Sequence, residues 1–292
     1  MNKFRQILSI SIIGAITLLL SGCKIAMLNP KGVIAISEMH LLIDATLLML
    51  IVVIPVIILT FVIVWHYRAS NKKAKYTPDK AHSTMLEVIC WSIPAIIIII
   101  LASITWISTH KLDPYKPLDT KSKPLTIQVI SLDWRWLFIY PKQHIATINY
   151  IQIPVNQQVR FLITADSPMN SIEMPRLAGQ IYAMPGMQTK LHFMANEKGR
   201  YRGFAANYTG DGFANMIFWA HAVDAKHFKK WVRRVQRSPQ KLTMATYNRL
   251  IKPTTNSKVQ YFSAPAHNLF SKVIMKYMMP TTNSTMMNRD TK

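Results

Sequence analysis

The chain has 292 residues, of which 50% are hydrophobic and 16% are charged. Soluble globular proteins carry about 25% charged residues, so this composition indicates a membrane protein, and its richness in apolar residues excludes a disordered chain. Two cysteines exclude a disulfide framework, and the sequence contains neither GxxxxGK nor GxGxxG. The net charge of +22 is compatible with nucleic acid or another anionic partner. The distribution of the positive residues along the chain distinguishes these two possibilities.

The N-terminus has the pattern of a secretory leader. A positively charged start precedes an apolar run at positions 7–20, which is the length of a signal-peptide core. The run ends in Leu-Ser-Gly-Cys, which resembles the bacterial lipobox. This resemblance implies that residues 1–22 are a lipoprotein signal peptide and that Cys23 becomes an acylated N-terminus. The alternative is an uncleaved signal anchor with a chance cysteine.

Two longer apolar runs follow, Leu41–Trp65 and Val88–Ile107. Each is long enough to cross a hydrocarbon core of about 30 Å as a helix, and runs this uniformly apolar are rare among buried helices of soluble proteins. We therefore predict a lipid-anchored N-terminus and a two-helix transmembrane hairpin over residues 23–110. Pro55 is expected to kink the first helix, and Asp44 is expected to lie at its N-terminal end.

The segment between the two runs is short and basic. It contains Arg68, Lys72, Lys73, Lys75 and Lys80 against Asp79. Short basic loops lie on the cytoplasmic side, so both termini are predicted to be periplasmic, with the chain in the bacterial inner membrane. Most of the positive charge then lies outside the cell, which argues against nucleic acid as a partner. Compositional drift and attraction to anionic lipid remain as explanations.

After the hairpin, the sequence becomes rich in short β-type runs separated by turns. The runs are LTIQVISLDWRWLFIY (125–140), ATINYIQI (146–153), QVRFLITAD (158–166), TKLHFMAN (189–196), RYRGFAANY (200–208) and ANMIFWAHAV (214–223). They predict an antiparallel β-sandwich or barrel over residues 111–223. From position 224 the pattern changes. In AKHFKKWVRRVQ, Phe228, Trp231, Val232 and Val235 recur at helical spacing, and two more short helices are predicted at 242–251 and 269–278. We therefore expect a helical C-terminal extension over residues 224–292.

The combination of a two-helix hairpin, the aromatic run DWRWLFIY and a sandwich resembles subunit II of the haem–copper respiratory oxidases. The resemblance extends from the hairpin to about Val223 and implies a cupredoxin-like domain. In the cytochrome c oxidases of that family, this domain carries a dinuclear copper centre. Its ligands are an upstream histidine and a C-x-E-x-C-x3-H-x2-M loop.

The corresponding loop in this chain is GFAANYTGDGFANM. The upstream histidine falls on Asn170, and Met216 is the retained methionine. The other ligand positions fall on Ala205, Asn207, Thr209 and Phe213. Copper of this kind requires thiolates and imidazoles, and the cysteines at 23 and 90 lie in the predicted anchor and the second span. The resemblance therefore implies a cupredoxin-like shell that has lost its metal.

The lipobox, the stretch YRASNK at 67–72 and the stretch QIYAMPGMQT resemble the quinol-oxidising branch, specifically bo-type ubiquinol oxidase subunit II. This resemblance implies that the chain binds no cofactor itself and that haem, copper and ubiquinol belong to subunit I. It also implies subunit I, further membrane subunits and the bilayer as partners. Cytochrome c is not expected, because its commonly basic surface would be repelled by this basic domain.

Glu87 is a candidate for proton transfer. It lies where the second span begins, and an ionisable residue at the membrane boundary is a functional candidate. In the resembled family, a glutamate at this position lies near the entrance of a proton-uptake path into subunit I. The alternative is a helix N-terminal acid that favours the helix dipole. The nearby His82 is read as an interfacial or capping residue.

The sequence thus predicts a non-redox subunit II of a proton-pumping ubiquinol oxidase, with no catalytic centre in this chain. Two alternatives stay open. The first is a copper-bearing cytochrome c oxidase subunit, and the second is a lipid-anchored periplasmic binding or scaffolding module without a respiratory role.

Overall fold

The computed structural model of the chain describes residues 25–75, 82–120, 123–255 and 257–278. The predicted signal peptide and the lipid-anchor residue Cys23 lie outside the described residues. The described chain forms two compact units. One unit runs from Ile36 to Asp119, and the other combines the residues before it with those from Thr120 onward.

The first unit contains two long helices, α1 over Val33–His66 and α2 over Thr84–Lys111. The first three residues of α1 belong to the other unit. Both are long and apolar enough to cross a bilayer, and their apolar side chains are largely exposed, as for Phe61 at 71%. Such a surface requires an apolar environment. Pro55 lies inside α1 without ending it. The prediction that Asp44 lies at the N-terminal end is wrong, because α1 begins at Val33 and so extends well beyond the apolar run.

The second unit is built on two β-sheets packed face to face. The strands, in chain order, are β1 Leu125–Leu132, β2 Arg135–Tyr140, β3 Ile145–Ile148, β4 Tyr150–Pro154, β5 Val159–Ala165, β6 Asn170–Met174, β7 Ala178–Ala183, β8 Thr189–Phe193, β9 Gly199–Ala205, β10 Ile217–Val223 and β11 Gln260–Phe262. One sheet has the order β11-β3-β2-β1-β5-β8, and the other has the order β4-β10-β9-β6-β7. The predicted sandwich is therefore confirmed.

The strand pairing is mixed, whereas the sequence pattern predicted an antiparallel sandwich. β1 pairs in parallel with β5, and β4 pairs in parallel with β10. The run 146–153, read from sequence as one strand, is divided between the two sheets as β3 and β4. Asn149 separates them with a positive φ of 54°, a conformation that asparagine tolerates better than most residues. This turn moves the chain from one sheet to the other.

The core between the sheets is made of the inward-facing residues of alternating strand positions. Trp136, Phe138 and Tyr140 of β2 are fully buried there. Phe138 contacts Phe218 of the opposite sheet, with ring centroids 5.0 Å apart, and Phe161 with 6.1 Å. These aromatic side chains join the two sheets into one core.

A short segment before α1 extends the sandwich at its edge. Gly32 forms an antiparallel bridge with Ala195, and the amide of Lys31 donates to the carbonyl of Arg176 at 2.7 Å. The Lys31 ammonium also contacts the Glu197 carboxylate at 2.8 Å. A Cβ on Gly32 would lie 2.2 Å from the Leu177 carbonyl oxygen, so only glycine allows this close approach.

The C-terminal extension packs helices α3 (Ala225–Gln236), α4 (Met244–Leu250) and α5 (Leu269–Met278) around β11. The predicted helices are confirmed, with α4 shorter at both ends than its predicted range. α3 packs on the main core through its apolar face. β11 adds an edge strand to the six-stranded sheet. α4 and α5 pack on the outer face of this sheet and form a second core with it. The members of this second core are Ile130, Leu132, Leu137, Ile139, Ala146, Ile148, Leu242, Tyr247, Leu250, Phe262, Leu269, Phe270 and Val273.

Asp166, directly after β5, fixes this extension to the sheet. Its side chain is 1% exposed and accepts hydrogen bonds from the hydroxyls of Tyr247 at 2.5 Å and Tyr277 at 2.7 Å. The Lys276 ammonium also donates to it at 2.7 Å. Burial acts to raise the pKa of Asp166, but the three donors outweigh burial and keep that pKa below its ordinary value.

We expect the substitution Asp166→Asn to loosen the C-terminal extension. An amide keeps the shape of the side chain but removes the charge that strengthens all three hydrogen bonds. Because hydrogen bonds to charged groups each stabilise by roughly 1.5–3 kcal/mol, the loss should be at least about 2 kcal/mol in the free energy of unfolding. Chemical denaturation of the full chain in detergent, combined with hydrogen exchange of α4 and α5, measures it.

Asp211→Asn serves as the control, since Asp211 is exposed and the variant changes the net charge equally.

The contact between Asp166 and Lys276 also makes the stability of the domain depend on pH. A carboxyl group with a lowered folded pKa stabilises above its unfolded value, here about 3.8, and this contribution is lost as pH falls through the folded pKa. Equal stability and equal acid sensitivity of the two variants would show that Asp166 does not hold the extension.

Candidate functional site

Three of the predicted metal-ligand positions meet at one end of the sandwich, between β6 and β10. Asn170 opens β6, Ala205 ends β9, and Met216 directly precedes β10. All three are buried. The Asn170 amide nitrogen donates to the Met216 sulfur at 3.1 Å, and the Ala205 amide donates to the Met216 carbonyl at 3.0 Å. The buried amide of Asn170 thus has a hydrogen-bond acceptor in the interior, which is the sulfur of Met216.

The remaining positions lie on the loop that joins β9 to β10. The Asn207 amide group donates to the Met169 carbonyl at 3.0 Å, which ties this loop to the chain before β6. The carbonyl of Thr209 accepts from the Trp134 indole at 3.2 Å. Phe213 opens a 3-10 turn, and its ring contacts that of Tyr208, with centroids 5.5 Å apart. These side chains therefore stabilise the loop itself.

An indole closes the loop from the side of the β1–β2 turn. Trp134 occupies that turn with a positive φ of 62°, and its ring lies against the backbone of Gly212. A Cβ added to Gly212 would come within 2.3 Å of the indole, so the absence of a side chain permits the contact. Gly210, with φ of 111°, lets the same loop turn back.

The donors at this end of the sandwich do not fit the copper centre that the fold implies. The predicted ligand positions offer two amides, one hydroxyl, one thioether and no thiolate or imidazole, whereas a dinuclear copper centre requires soft thiolate bridges. Across the described ranges, no group of three or more His, Cys, Asp and Glu side chains could hold a metal ion. The described cysteine, Cys90, lies in α2.

Glu87 lies in the first turn of α2. Its amide donates to the carbonyl of Ser83, the N-cap residue, at 3.0 Å. Its carboxylate contacts the Nδ1 atom of His82, which precedes the helix, and both side chains are partly exposed. The structure therefore adds a titratable partner to the glutamate that the sequence had singled out.

The sequence analysis read His82 as an interfacial or capping residue, not as the partner of Glu87, and it did not single out Asp166 or Ser131. The Ser131 hydroxyl lies 3.4 Å from the Asn170 amide nitrogen and so contributes a further polar group at the same end of the sandwich. A histidine five positions before a glutamate at a helix start was a signal for the first pair. The other two contacts join residues far apart in sequence, and no local pattern indicates them.

Two apolar membrane-length helices and a mixed sandwich with a closed, thiolate-free loop define a membrane-bound protein of cupredoxin-like architecture. Two known families match the chain. The periplasmic domain of cytochrome c oxidase subunit II matches residues 141–223, and the aromatic-rich motif of cytochrome oxidases matches residues 236–281. The second match covers α4, β11 and α5, whose aromatic residues Tyr247, Phe262 and Phe270 are part of the second core.

Several curated relatives are similar over most of the chain. Cytochrome bo(3) ubiquinol oxidase subunit 2 of Pseudomonas aeruginosa is 52% identical over 89% of this chain and 78% of its own length. The protein of the same name from Buchnera aphidicola subsp. Schizaphis graminum is 47% identical over 94% and 93%. Ubiquinol oxidase subunit 2 of Acetobacter aceti is 46% identical over 94% and 88%. The chain belongs to the family of haem–copper oxidase subunit II, in its bo-type ubiquinol oxidase branch.

Proposed function

We propose that this chain is the non-redox subunit II of a proton-pumping ubiquinol oxidase. In such a complex, quinol oxidation is coupled to the reduction of oxygen to water, and the electron-transfer chemistry takes place in subunit I. Haem, copper and ubiquinol are accordingly assigned to subunit I. This chain contributes a membrane hairpin, a rigid outer domain and contacts to subunit I and further membrane subunits. It has no catalytic residue of its own.

The observation that carries this proposal is the Asn170–Met216 hydrogen bond. It joins two of the positions at which the resembled cytochrome c oxidases carry copper ligands. Asn170 supplies an amide and Met216 a thioether, and the two side chains bind each other. Neither position supplies the thiolate or imidazole that copper of this kind requires. Electrons from a soluble donor would have no acceptor in this domain. Quinol, which dissolves in the membrane, needs none, since it can reach subunit I directly.

The proposal includes a location and an orientation. The two spans support insertion in the bacterial inner membrane. The basic segment after α1, including Arg68, Lys72 and Lys73, supports a cytoplasmic connection between the spans. Both termini and the sandwich are then periplasmic. The proposed domain boundaries fall after residues 22, 110 and 223. Neither nucleic acid nor cytochrome c is proposed as a partner.

The test is purification of the complex in mild detergent, with haem and copper measured together. We expect haem absorbance to co-migrate with this chain. We also expect the copper-to-haem ratio to be unchanged by Met216→Leu, because the only retained ligand-type donor binds Asn170 and no metal. Leucine preserves the apolar volume, and Met187→Leu, at an exposed position, is the matched control.

A fall in the copper-to-haem ratio specific to Met216→Leu would instead indicate a copper-bearing cytochrome c oxidase subunit. Isolation of the chain from native membranes with no haem attached would indicate a binding or scaffolding module without a respiratory role.

Glu87 is proposed as a proton-entry residue for the complex, with His82 as its partner. The contact between the two side chains supports a site that exchanges protons at a helix end. We expect Glu87→Gln to lower quinol-driven oxygen consumption about tenfold with the complex intact, since a proton carrier is removed. Asp119→Asn, in which an exposed acid is neutralised, should retain activity.

A purely structural Glu87 would behave differently. Losing a helix N-terminal acid costs about 0.3–1 kcal/mol in stability and leaves turnover unchanged. Unchanged oxygen consumption in Glu87→Gln membranes, with or without a lower yield of complex, would therefore reject the proton-entry role.

Cys23 is proposed as the lipid-anchor residue after removal of residues 1–22. The proposal is supported by the Leu-Ser-Gly-Cys sequence that ends the apolar leader. Mass spectrometry of the mature N-terminal peptide is expected to find acyl chains on Cys23, and Cys23→Ser should retain the leader. An unmodified Cys23, or a leader retained in the parent chain, would indicate a signal anchor instead.

A further inference from the structure

The helix α3 carries opposite properties on its two faces. Its apolar face is buried, and Trp231 contacts Tyr140 of the sandwich with ring centroids 5.5 Å apart. The other face is exposed and cationic over its whole length. The cationic residues, here called the α3 basic face, are Lys226, Lys229, Lys230, Arg233, Arg234 and Arg237.

No carboxylate neutralises this face within the part of the chain that the structure describes. The nearest acid in sequence is Asp224, which caps α3 by accepting from the His227 amide at 2.8 Å. Asp224 also binds Lys198 at 3.2 Å and the His227 ring at 2.8 Å. The described ion pairs include no member of the α3 basic face.

The arrangement is costly for the isolated helix. Lys226 and Lys230, Lys229 and Arg233, and Arg233 and Arg237 are like charges four residues apart, a spacing at which like charges destabilise a helix. Cations in the last turn favour the helix dipole, but this explains only the C-terminal end. The repulsion along the rest of the face is relieved when an anion binds.

Two concavities give such an anion a place to bind. The first has a volume of about 450 Å³ and is lined by Lys230, Arg233, Arg234 and Arg237. The second, also of about 450 Å³, follows directly in sequence and adds Lys241 and Arg249. Its other lining residues are Gln240, Thr246, Leu250, Gln260 and Phe262, which supply hydrogen-bonding groups beside an apolar floor. Neither lining includes a carboxylate among the described residues.

We propose that the α3 basic face and these two concavities bind the phosphate headgroups of anionic phospholipids. Arginine forks match phosphate oxygens in pairs, and clusters of four or more cations near a membrane bind anionic headgroups.

Chain connectivity favours lipid over a soluble acidic protein. The span α2 ends at Lys111 and β1 begins at Leu125, so thirteen residues, 112–124, connect them. A connector of that length reaches at most about 45 Å. The domain is therefore tethered to the bilayer, which gives lipid headgroups a high effective concentration.

The experiment uses the intact oxidase complex in nanodiscs of phosphatidylcholine, with phosphatidylglycerol added in increasing proportion. Hydrogen exchange of peptides covering 225–250 is measured. We expect exchange to slow as phosphatidylglycerol increases. In the triple variant Arg233→Gln/Arg234→Gln/Arg237→Gln, the proportion of phosphatidylglycerol needed to slow exchange by half of the maximal amount should rise at least about tenfold. The reason is that each cation contributes separately to headgroup binding.

The matched control is Lys142→Gln/Lys190→Gln/Lys272→Gln, in which three exposed lysines outside both concavities are neutralised. It loses the same charge and should behave like the parent chain. Peptides covering β1 and β2 report whether either variant disturbs the sandwich.

Three results would overturn the proposal. In the first, phosphatidylglycerol does not slow hydrogen exchange of the peptides covering 225–250. In the second, it slows their exchange equally in the two triple variants. In the third, inorganic phosphate slows their exchange equally well in discs of pure phosphatidylcholine. Slowing in native membranes that is absent from every nanodisc would also overturn it, in favour of an acidic protein partner. Because the readout does not depend on turnover or copper, these outcomes are independent of the proposed respiratory function.

Discussion

The closing of one end of the sandwich by side chains is the constraint on which the rest of the domain depends. In metalloproteins, the free energy of metal binding contributes to folding. Here the same region is held by the Asn170–Met216 hydrogen bond and by Trp134, which covers the loop glycines. Burying an amide is favourable only when it is hydrogen-bonded, and Asn170 meets this requirement through Met216, Ser131 and its own contact to the Ser171 amide.

The C-terminal extension adds to the stability of the same region from outside. Without it, the outward-facing Leu137 and Ile139 of β2 would be exposed, whereas in the structure they are buried in the second core with α4 and α5. Asp166 connects this layer to the strand end that precedes β6, since it follows β5 directly and its amide bonds to the Ser131 carbonyl. The aromatic-rich extension therefore supports the domain end at which Asn170 lies.

Local patterns in the sequence predicted the helices and most strands, because apolar spacing reports directly on burial. α3 and α5 have the predicted bounds. β6 and β7 were missed, because NSIEM and AGQIYA contain polar and small residues whose pairing is set by neighbours. The division of 146–153 between two sheets was also not predictable, since it depends on a single left-handed residue, Asn149. Local sequence patterns therefore predicted most of the elements, whereas they did not predict which strand belongs to which sheet.

The candidate site divides in the same way. The loss of thiolates and imidazoles could be read from residue identity alone, because it concerns atoms that the side chains do not have. What replaces them required the structure: Asn170 and Met216 are 46 residues apart, and Asp166 and Tyr247 are 81 apart. The charge of the chain follows this rule as well. Composition gave a net charge of +22, but only the fold separates cations that bind carboxylates, such as Lys276, from those of α3 that face solvent together. A cation paired inside the domain stabilises the fold, whereas a row of unpaired ones is available to an external anion.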